Sequence, residues 1–255
     1  MWFYLVTLVG LYYLLRWYRE RQVVSNLQDK HVFITGCDSG FGRLWGLVNN
    51  AAVFPPISYI EWLKPEDYMS VFQVNLVGLA QVTLSMLFLV KKAQGRIVNV
   101  SSVLGRVAFF GGFYSCSKYG VEAFSDILRR EVQDFGVKVS IIEPGSFKTR
   151  MTDPELTMER SKKAWEAAPE HVRESYGQQF FDHFYRVTKQ NLMMSNTNLN
   201  VVTDCMEHAL TSTYPRTRYS AGWDAQFIFI PLSYLPTSLA DYILTRSRPK
   251  PAQAA

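Results

Sequence analysis

The stretch 31-HVFITGCDSGFGRLWGLVNNAA-52 restricts this chain more than any other part of it. It opens with a short apolar strand, 31-HVFIT-35, and runs into the glycine turn 36-GCDSGFG-42. A strand followed by a tight glycine turn is the arrangement that cradles a phosphate, because glycines let backbone N–H groups approach an anion closely. Directly after Arg43 comes a second apolar run, 44-LWGLVNNAA-52, ending in two asparagines. Gly36 to Arg43 supplies eight residues, all in the turn, whereas a crossover between parallel strands needs at least about 10 to 12. The spacing predicts that a helical crossover cannot join these two strands unless one of them is pulled out of place.

The rest of the chain alternates. Residues 65-PEDYMSVFQVNLVGLAQVTLSMLFLVKKAQG-95 begin with Pro and acids, carry apolar residues at helical spacing, and end in Lys-Lys and Gly, which predicts a long helix. Then 96-RIVNVSS-102 reads as a buried strand, 117-SKYGVEAFSDILRREVQDFG-136 as a helix stopped by Gly136, and 137-VKVSIIEPG-145 as a further strand. Regular alternation predicts an α/β fold with a parallel sheet and helices on both faces. Residues 146–200 turn helical, charged and irregular, as expected of a substrate-side region, and a helix follows over Val201 to Thr211. The segment 226-QFIFIPLSYLP-236 is apolar, proline-punctuated and too short to span a bilayer, which leaves a buried loop, a subunit interface or an interfacial contact open.

The N-terminus, 1-MWFYLVTLVGLYYLL-15, is apolar throughout and is followed by Arg16, Arg19 and Arg21. Met1 to Tyr18 at about 1.5 Å per residue approaches a bilayer core of about 30 Å, with Trp17 and Tyr18 as interfacial anchors. A cleaved leader shares the apolar stretch, but the charged n-region and small-residue cleavage site are missing, so a retained anchor is expected. The arginines favour a cytosolic body without fixing the orientation. The expected organisation is an anchor over 1–18, a polar connector over 19–30, and one catalytic body over 31–255. With 255 residues, 48% of them hydrophobic and 19% charged, the chain suffices for one substantial core. A net charge of +5 spread along the chain argues against a nucleic-acid surface. Cys37, Cys116 and Cys205 lie far apart with no C-x-x-C pair, so structural thiols and no metal site are expected.

Chemistry concentrates around 114-YSCSK-118. Tyr114 and Lys118 are four residues apart, so on a helix they share one face. An ammonium beside a phenol favours the phenolate and lowers a pKa otherwise near about 10, which suits Tyr114 to proton transfer. Ser102 ends a strand on the rim where open α/β sheets bind ligands.

These residues resemble a short-chain dehydrogenase/reductase. The matching pieces are 35-TGCDSGFG-42, 49-NNAA-52, Asn75 in 74-VNLVG-78, Ser102 in 98-VNVSS-102, 114-YSCSK-118 and 144-PG-145, in the family's order. The arginine-capped N-terminus, 105-GRVAFFGG-112, 214-YPRTRYSAGWDA-225 and the tail from Leu232 to Ser247 are most similar to the microsomal retinol and hydroxysteroid dehydrogenases. The resemblance implies a Rossmann-like doubly wound sheet, an endoplasmic-reticulum membrane location, NAD as cofactor, and a small hydrophobic alcohol or ketone, steroid or retinoid, as substrate. It leaves room for a homo-oligomer. It implies that Tyr114 is the general acid/base, that Lys118 tunes it and holds the nicotinamide ribose, that Ser102 orients the substrate oxygen, and that Asn75 supports a water in the proton relay. Gly36, Ser39, Gly40, Gly42, Asn49, Lys118, Pro144 and Gly145 are the implied cofactor contacts. Each has a plainer alternative: Asn75 satisfying backbone groups, Lys118 solvated, Ser102 capping the residues from Leu104 onward.

Measured against that family, the second and third strands and their helices, roughly sixty residues on average element lengths, are absent between the glycine turn and 44-LWGLVNNAA-52. The helix whose N-terminus holds the pyrophosphate and the acidic residue for the adenosine ribose go with them. The first strand is left as a sheet edge, and Ala52 stands where the family has glycine. NAD binding is therefore expected to be weakened, and an internally deleted, catalytically impaired form acting as a membrane-anchored interaction partner is the alternative function.

Overall fold

Four apolar runs and one short polar one form a single parallel sheet in the computed structural model of the chain, which describes residues 2–24, 30–34, 44–109 and 112–254. The strands β1 (His31–Ile34), β2 (Leu44–Asn49), β3 (Arg96–Val100), β4 (Lys138–Pro144) and β5 (Arg218–Ala221) lie side by side in chain order, every pair parallel. β2, β3 and β4 are nearly continuous in burial, which is why they read as unbroken apolar runs rather than alternating ones. β5, with the sequence RYSA, has no apolar run and carries no strand signal of its own. Its place is set by β4, which it extends.

The helix α1 covers Trp2–Glu20, and α2 (Pro65–Phe72) and α3 (Leu79–Lys92) are joined by a π-helical turn over Gln73–Gly78. The expected long helix is thus present but carries an extra residue per turn at Asn75, the kind of irregularity that helices keep at functional sites. α4 runs from Phe113 to Val132, starting four residues earlier than the apolar pattern suggested. One face of the sheet packs Leu44, Leu47, Ile97 and Val139 against Val90 of α3 and Leu128 and Val132 of α4. The other packs Val48, Val98, Ile142 and Tyr219 against Ala209 of α8 (Asn200–Thr211).

Residues 146–200 form α5 (Pro154–Ala167), α6 (Glu170–Tyr176) and α7 (Gln178–Met193). Asp153 caps α5 by accepting from Leu156 N at 2.9 Å, with Pro154 at the first helical position. These helices converge on Trp62 through an aromatic cluster with Trp165, Phe180 and Phe181. Residues 226–232 are helical rather than a buried loop: a π-helical turn over Ala225–Phe229 leads into α9 (Ile230–Leu232), and a turn over 233–236 precedes α10 (Thr237–Thr245). Pro231 lacks an N–H but sits in the first turn of α9, where none is needed. Ala225 and Leu232 are buried, whereas Phe227 is 74% exposed.

β1 corrects one expectation and meets another. It is not pulled out of place but pairs with β2 in parallel, with a register irregularity between His31 and Val32. In the doubly wound order 3-2-1-4-5-6 the first and fourth strands are neighbours, so losing the second and third leaves this pairing available. Residues 35–43 can reach about 30 Å when extended, more than the roughly 13 Å from the end of β1 back to the start of β2. As expected, β1 is a sheet edge. Gly36, Ser39, Gly40 and Gly42, with Cys37, lie outside the described residues.

α1 is 19 residues long, and its side chains Tyr12, Tyr13, Leu14, Leu15 and Trp17 are all more than half exposed. Its end is fastened to the body: the Glu20 carboxylate accepts from Arg216 and from Arg16, Glu20 O meets His208 Nε2 at 2.8 Å, and Val24 N donates to Thr211 O at 2.7 Å. Among the described residues, the helix long and apolar enough to cross a membrane is the continuous rod Pro65–Lys92, which packs on β2 and α4 as part of the core.

Candidate active site

β3 ends at Val100 and delivers Ser101 and Ser102 to the start of α4, so that strand and helix place Ser102, Tyr114 and Lys118 at one corner. All three are buried, as is Asn75. Ser102 Oγ accepts from Leu104 N at 3.1 Å and so caps the short turn Val103–Gly105. Its hydroxyl also bonds the Tyr114 phenol. The expected alternative, a cap on the residues from Leu104 onward, is present, and the same side chain also faces Tyr114. Lys118 Nζ donates to Val100 O at 2.8 Å and lies 5.5 Å from the centre of the Tyr114 ring.

The electrostatics depart from the expected order of effects. Burial pushes the Tyr114 phenol above its ordinary value, opposed only by the bond from Ser102. Burial also lowers Lys118, to about 8, against the attraction of Glu122. In this closed corner desolvation is the largest influence on Tyr114, so the phenol keeps its proton at neutral pH. Closure comes from Phe54, whose ring lies 4.3 Å from that of Tyr114 and whose carbonyl accepts from Arg160 of α5 at 2.8 Å. A surface depression of about 280 Å³ lined by Trp165, Glu170, Arg173 and Gly177 opens elsewhere and includes none of these residues.

Asn75, in the π-helical turn, is engaged on both ends of its amide: Oδ1 accepts from Val53 N at 2.8 Å, and Nδ2 donates to Val53 O at 3.0 Å and to Ser117 Oγ at 3.1 Å. It ties the segment after β2 to α4 beside Lys118. Asn49 is likewise directed inward. Its Nδ2 donates to Thr83 Oγ1 and Asn99 Oδ1, each at 2.8 Å, and Asn99 donates on to Ser125 at 2.8 Å. This side chain joins β2, β3, α3 and α4, because a buried amide inside an apolar sheet must find partners there. Pro144 closes β4, and Gly145 N donates to Ala221 O at 2.9 Å. A side chain at Gly145 would collide with the Asp224 carboxylate, which accepts from Ser146 N at 2.7 Å.

Sequence reasoning missed Phe54, Ser117 and the Thr83–Asn99–Ser125 network. The polar Asn99 inside the apolar run 96-RIVNV-100 was the available signal for the network; Phe54 left none. For a nicotinamide cofactor the described residues fit at the ribose end. Lys118 uses one of its three N–H groups on Val100, which leaves two for ribose hydroxyls. The described residues contain no metal-ligating cluster.

A parallel α/β sheet with tyrosine, lysine and serine meeting where a strand ends and a helix begins defines an oxidoreductase-type fold, and the comparisons narrow it. Residues 23–160 match the model of the short chain dehydrogenase family, and the chain belongs to that family. It is 65% identical to mouse 17-beta-hydroxysteroid dehydrogenase type 6 with each chain fully covered, 57% identical to the human protein of that name, and 46% identical to rat retinol dehydrogenase 7. The mouse alignment runs over 317 residues and this chain has 255, a difference of 62, which is internal because both chains are covered end to end. A short-chain dehydrogenase from Streptomyces avermitilis shares the fold at a TM-score of 0.53 and 22% identity, over 80% of this chain and 71% of that one. One from Burkholderia cenocepacia, in complex with NADP, gives 0.54 and 21%, over 79% and 69%.

Proposed function

We propose that the chain carries the proton-transfer half of a hydroxysteroid or retinol dehydrogenase site and binds NAD weakly. The supporting observation is the convergence of Ser102, Tyr114 and Lys118 at the β3–α4 corner, in a chain resembling enzymes named for those substrates. The nicotinamide would accept hydride from the substrate carbinol, or return it to the carbonyl. Lys118 would hold the ribose, and Ser102 would hold the substrate oxygen. Tyr114 gives its proton to that oxygen during reduction and receives it during oxidation. The cofactor contacts are Gly36, Ser39, Gly40, Gly42, Pro144 and Gly145, and Asn75 acts through Val53 and Ser117. In this reading residues 1–18 anchor the chain in the endoplasmic-reticulum membrane, 19–30 connect, and 31–255 form the body with 146–200 on the substrate side.

The alternative, an impaired form acting as an anchored interaction partner, rests on the 62-residue shortfall and on β1 standing at the sheet edge. Titrating the full chain with NADH for affinity, and following oxidation of a hydroxysteroid by NAD+ for turnover, tests both. The expected result is NADH binding only near the millimolar range and slow turnover that Tyr114→Phe reduces by about 10²–10⁴-fold. Turnover untouched by that change would remove the Tyr114 assignment, and micromolar NADH affinity would remove the weakening.

A further inference from the structure

One face of α4 carries Tyr114, Lys118 and Glu122 at successive turns, and the segment 101–106 is wrapped against them. Ser102 meets Tyr114, and Ser101 Oγ donates to Lys118 O at 3.3 Å. Gly105 lies where a side-chain carbon would stand 2.7 Å from Ser101 Oγ, 3.0 Å from Lys118 O and 3.1 Å from Glu122 Cγ, so the absence of a side chain there lets the three close together. Glu122 is 6% exposed. Its Oε2 accepts from Arg218 at 3.1 Å, and Ser101 favours its charged form. The carboxylate is thereby enclosed between Arg218 and the segment 101–106, one turn behind Lys118.

We propose that Glu122 is a positioning residue for the reaction, a carboxylate one turn behind Lys118 that keeps the lysine as an ammonium and, through Ser101, fixes the backbone that carries it. This rests on the role given to Lys118 above. The other charged groups around Glu122 are Arg218 of β5, Glu143 of β4, Arg106 after β3, and Asp126 and Tyr119 of α4. Arg218 bridges Glu122 and Asp126, and Arg106 is held by Glu143 at 2.8 Å. Burial and then Glu143 raise Glu122 to about 7, and burial lowers Lys118 to about 8. The oppositely charged pair therefore exists in the window between those two values, and the lysine would lose its ammonium at lower pH without the carboxylate.

The test is the titration of the Lys118 side chain in the full chain labelled with ¹³Cε-lysine, its signal assigned by its loss in Lys118→Arg. Glu122→Gln, of nearly the same shape, should move the Lys118 midpoint down by about one pH unit, the lower end of what a nearby opposite charge contributes, and Glu122→Asp should restore most of it. An unchanged midpoint in a folded Glu122→Gln chain overturns the proposal. If Lys118→Arg leaves turnover intact while the Glu122→Gln shift is present, the role of Lys118 fails and the coupling stands. If Lys118→Arg abolishes turnover with no Glu122→Gln shift, the coupling alone fails.

Discussion

The middle of the sheet and its β1 edge are held in different ways. At β3 and β4 each strand has neighbours on both sides, α3 and α4 cover one face, α8 covers the other, and buried side chains link Asn49 through Asn99 to Ser125. At the edge β1 is four residues long, has one neighbour, and leaves Val32 37% exposed. The β3–α4 corner is built by contacts among residues 49–145, which the chain retains. The cofactor end of the family's fold depends on elements between the glycine turn and β2, where only residues 35–43 remain. The geometry of the β3–α4 corner is thus kept in a chain 62 residues shorter than its mouse relative's alignment.

The most direct way to break this comparison is to supply the missing part. Inserting the corresponding segment of mouse 17-beta-hydroxysteroid dehydrogenase type 6 between Gly42 and Leu44 should restore a helix N-terminus for the pyrophosphate. Two charge-assisted hydrogen bonds at about 1.5–3 kcal/mol each correspond to a gain in NADH affinity on the order of 100-fold or more. Isothermal titration measures it. An affinity unchanged by the insertion would show that the edge is not what limits binding.

A matched pair of substitutions sharpens the contrast. Asn49→Ala should cost about 1–3 kcal/mol, because it strands the Asn99 Oδ1 acceptor in the interior. Val32→Ala, on the half-open edge strand, should stay within about 0.5–1 kcal/mol. Urea unfolding of both in the full chain gives the comparison, and equal costs would mean that the edge is as firmly built as the middle.

The same contrast explains what could be read from sequence. β2, β3 and β4 announce themselves as apolar runs because both their faces are covered, and Tyr114, Lys118 and Ser102 stand out because helix and strand periodicity fix where they point. β5 was invisible, since Arg218 and Ser220 make it look like a loop and its strand character comes from pairing with β4. The parallel pairing of β1 with β2 was misjudged because a crossover length that allows for a helix was applied to strands that are already neighbours in the parent order. Phe54 over Tyr114, and the burial that raises the phenol, depend on packing between segments sixty residues apart, which no local pattern encodes.

The smallest effect expected is at the junction of α1 with the body, a third region that neither the middle nor the edge of the sheet controls. Glu20 is held down to about 2 by the hydrogen bond from Arg216, then by Arg16, against a cost of burial. An acid whose folded value is depressed adds stability above its unfolded value near 4.5, and loses it as pH falls through the folded value near 2. Arg216 is 41% exposed, so solvent screening keeps the gain below about 1 kcal/mol. Glu20→Gln should therefore flatten the stability profile between those two pH values while leaving the Lys118 titration unmoved. Proteolysis between α1 and β1, followed as pH is lowered, reports the same release, and wild-type cleavage that is independent of pH would mean that Arg216 and Arg16 do not hold α1 in place.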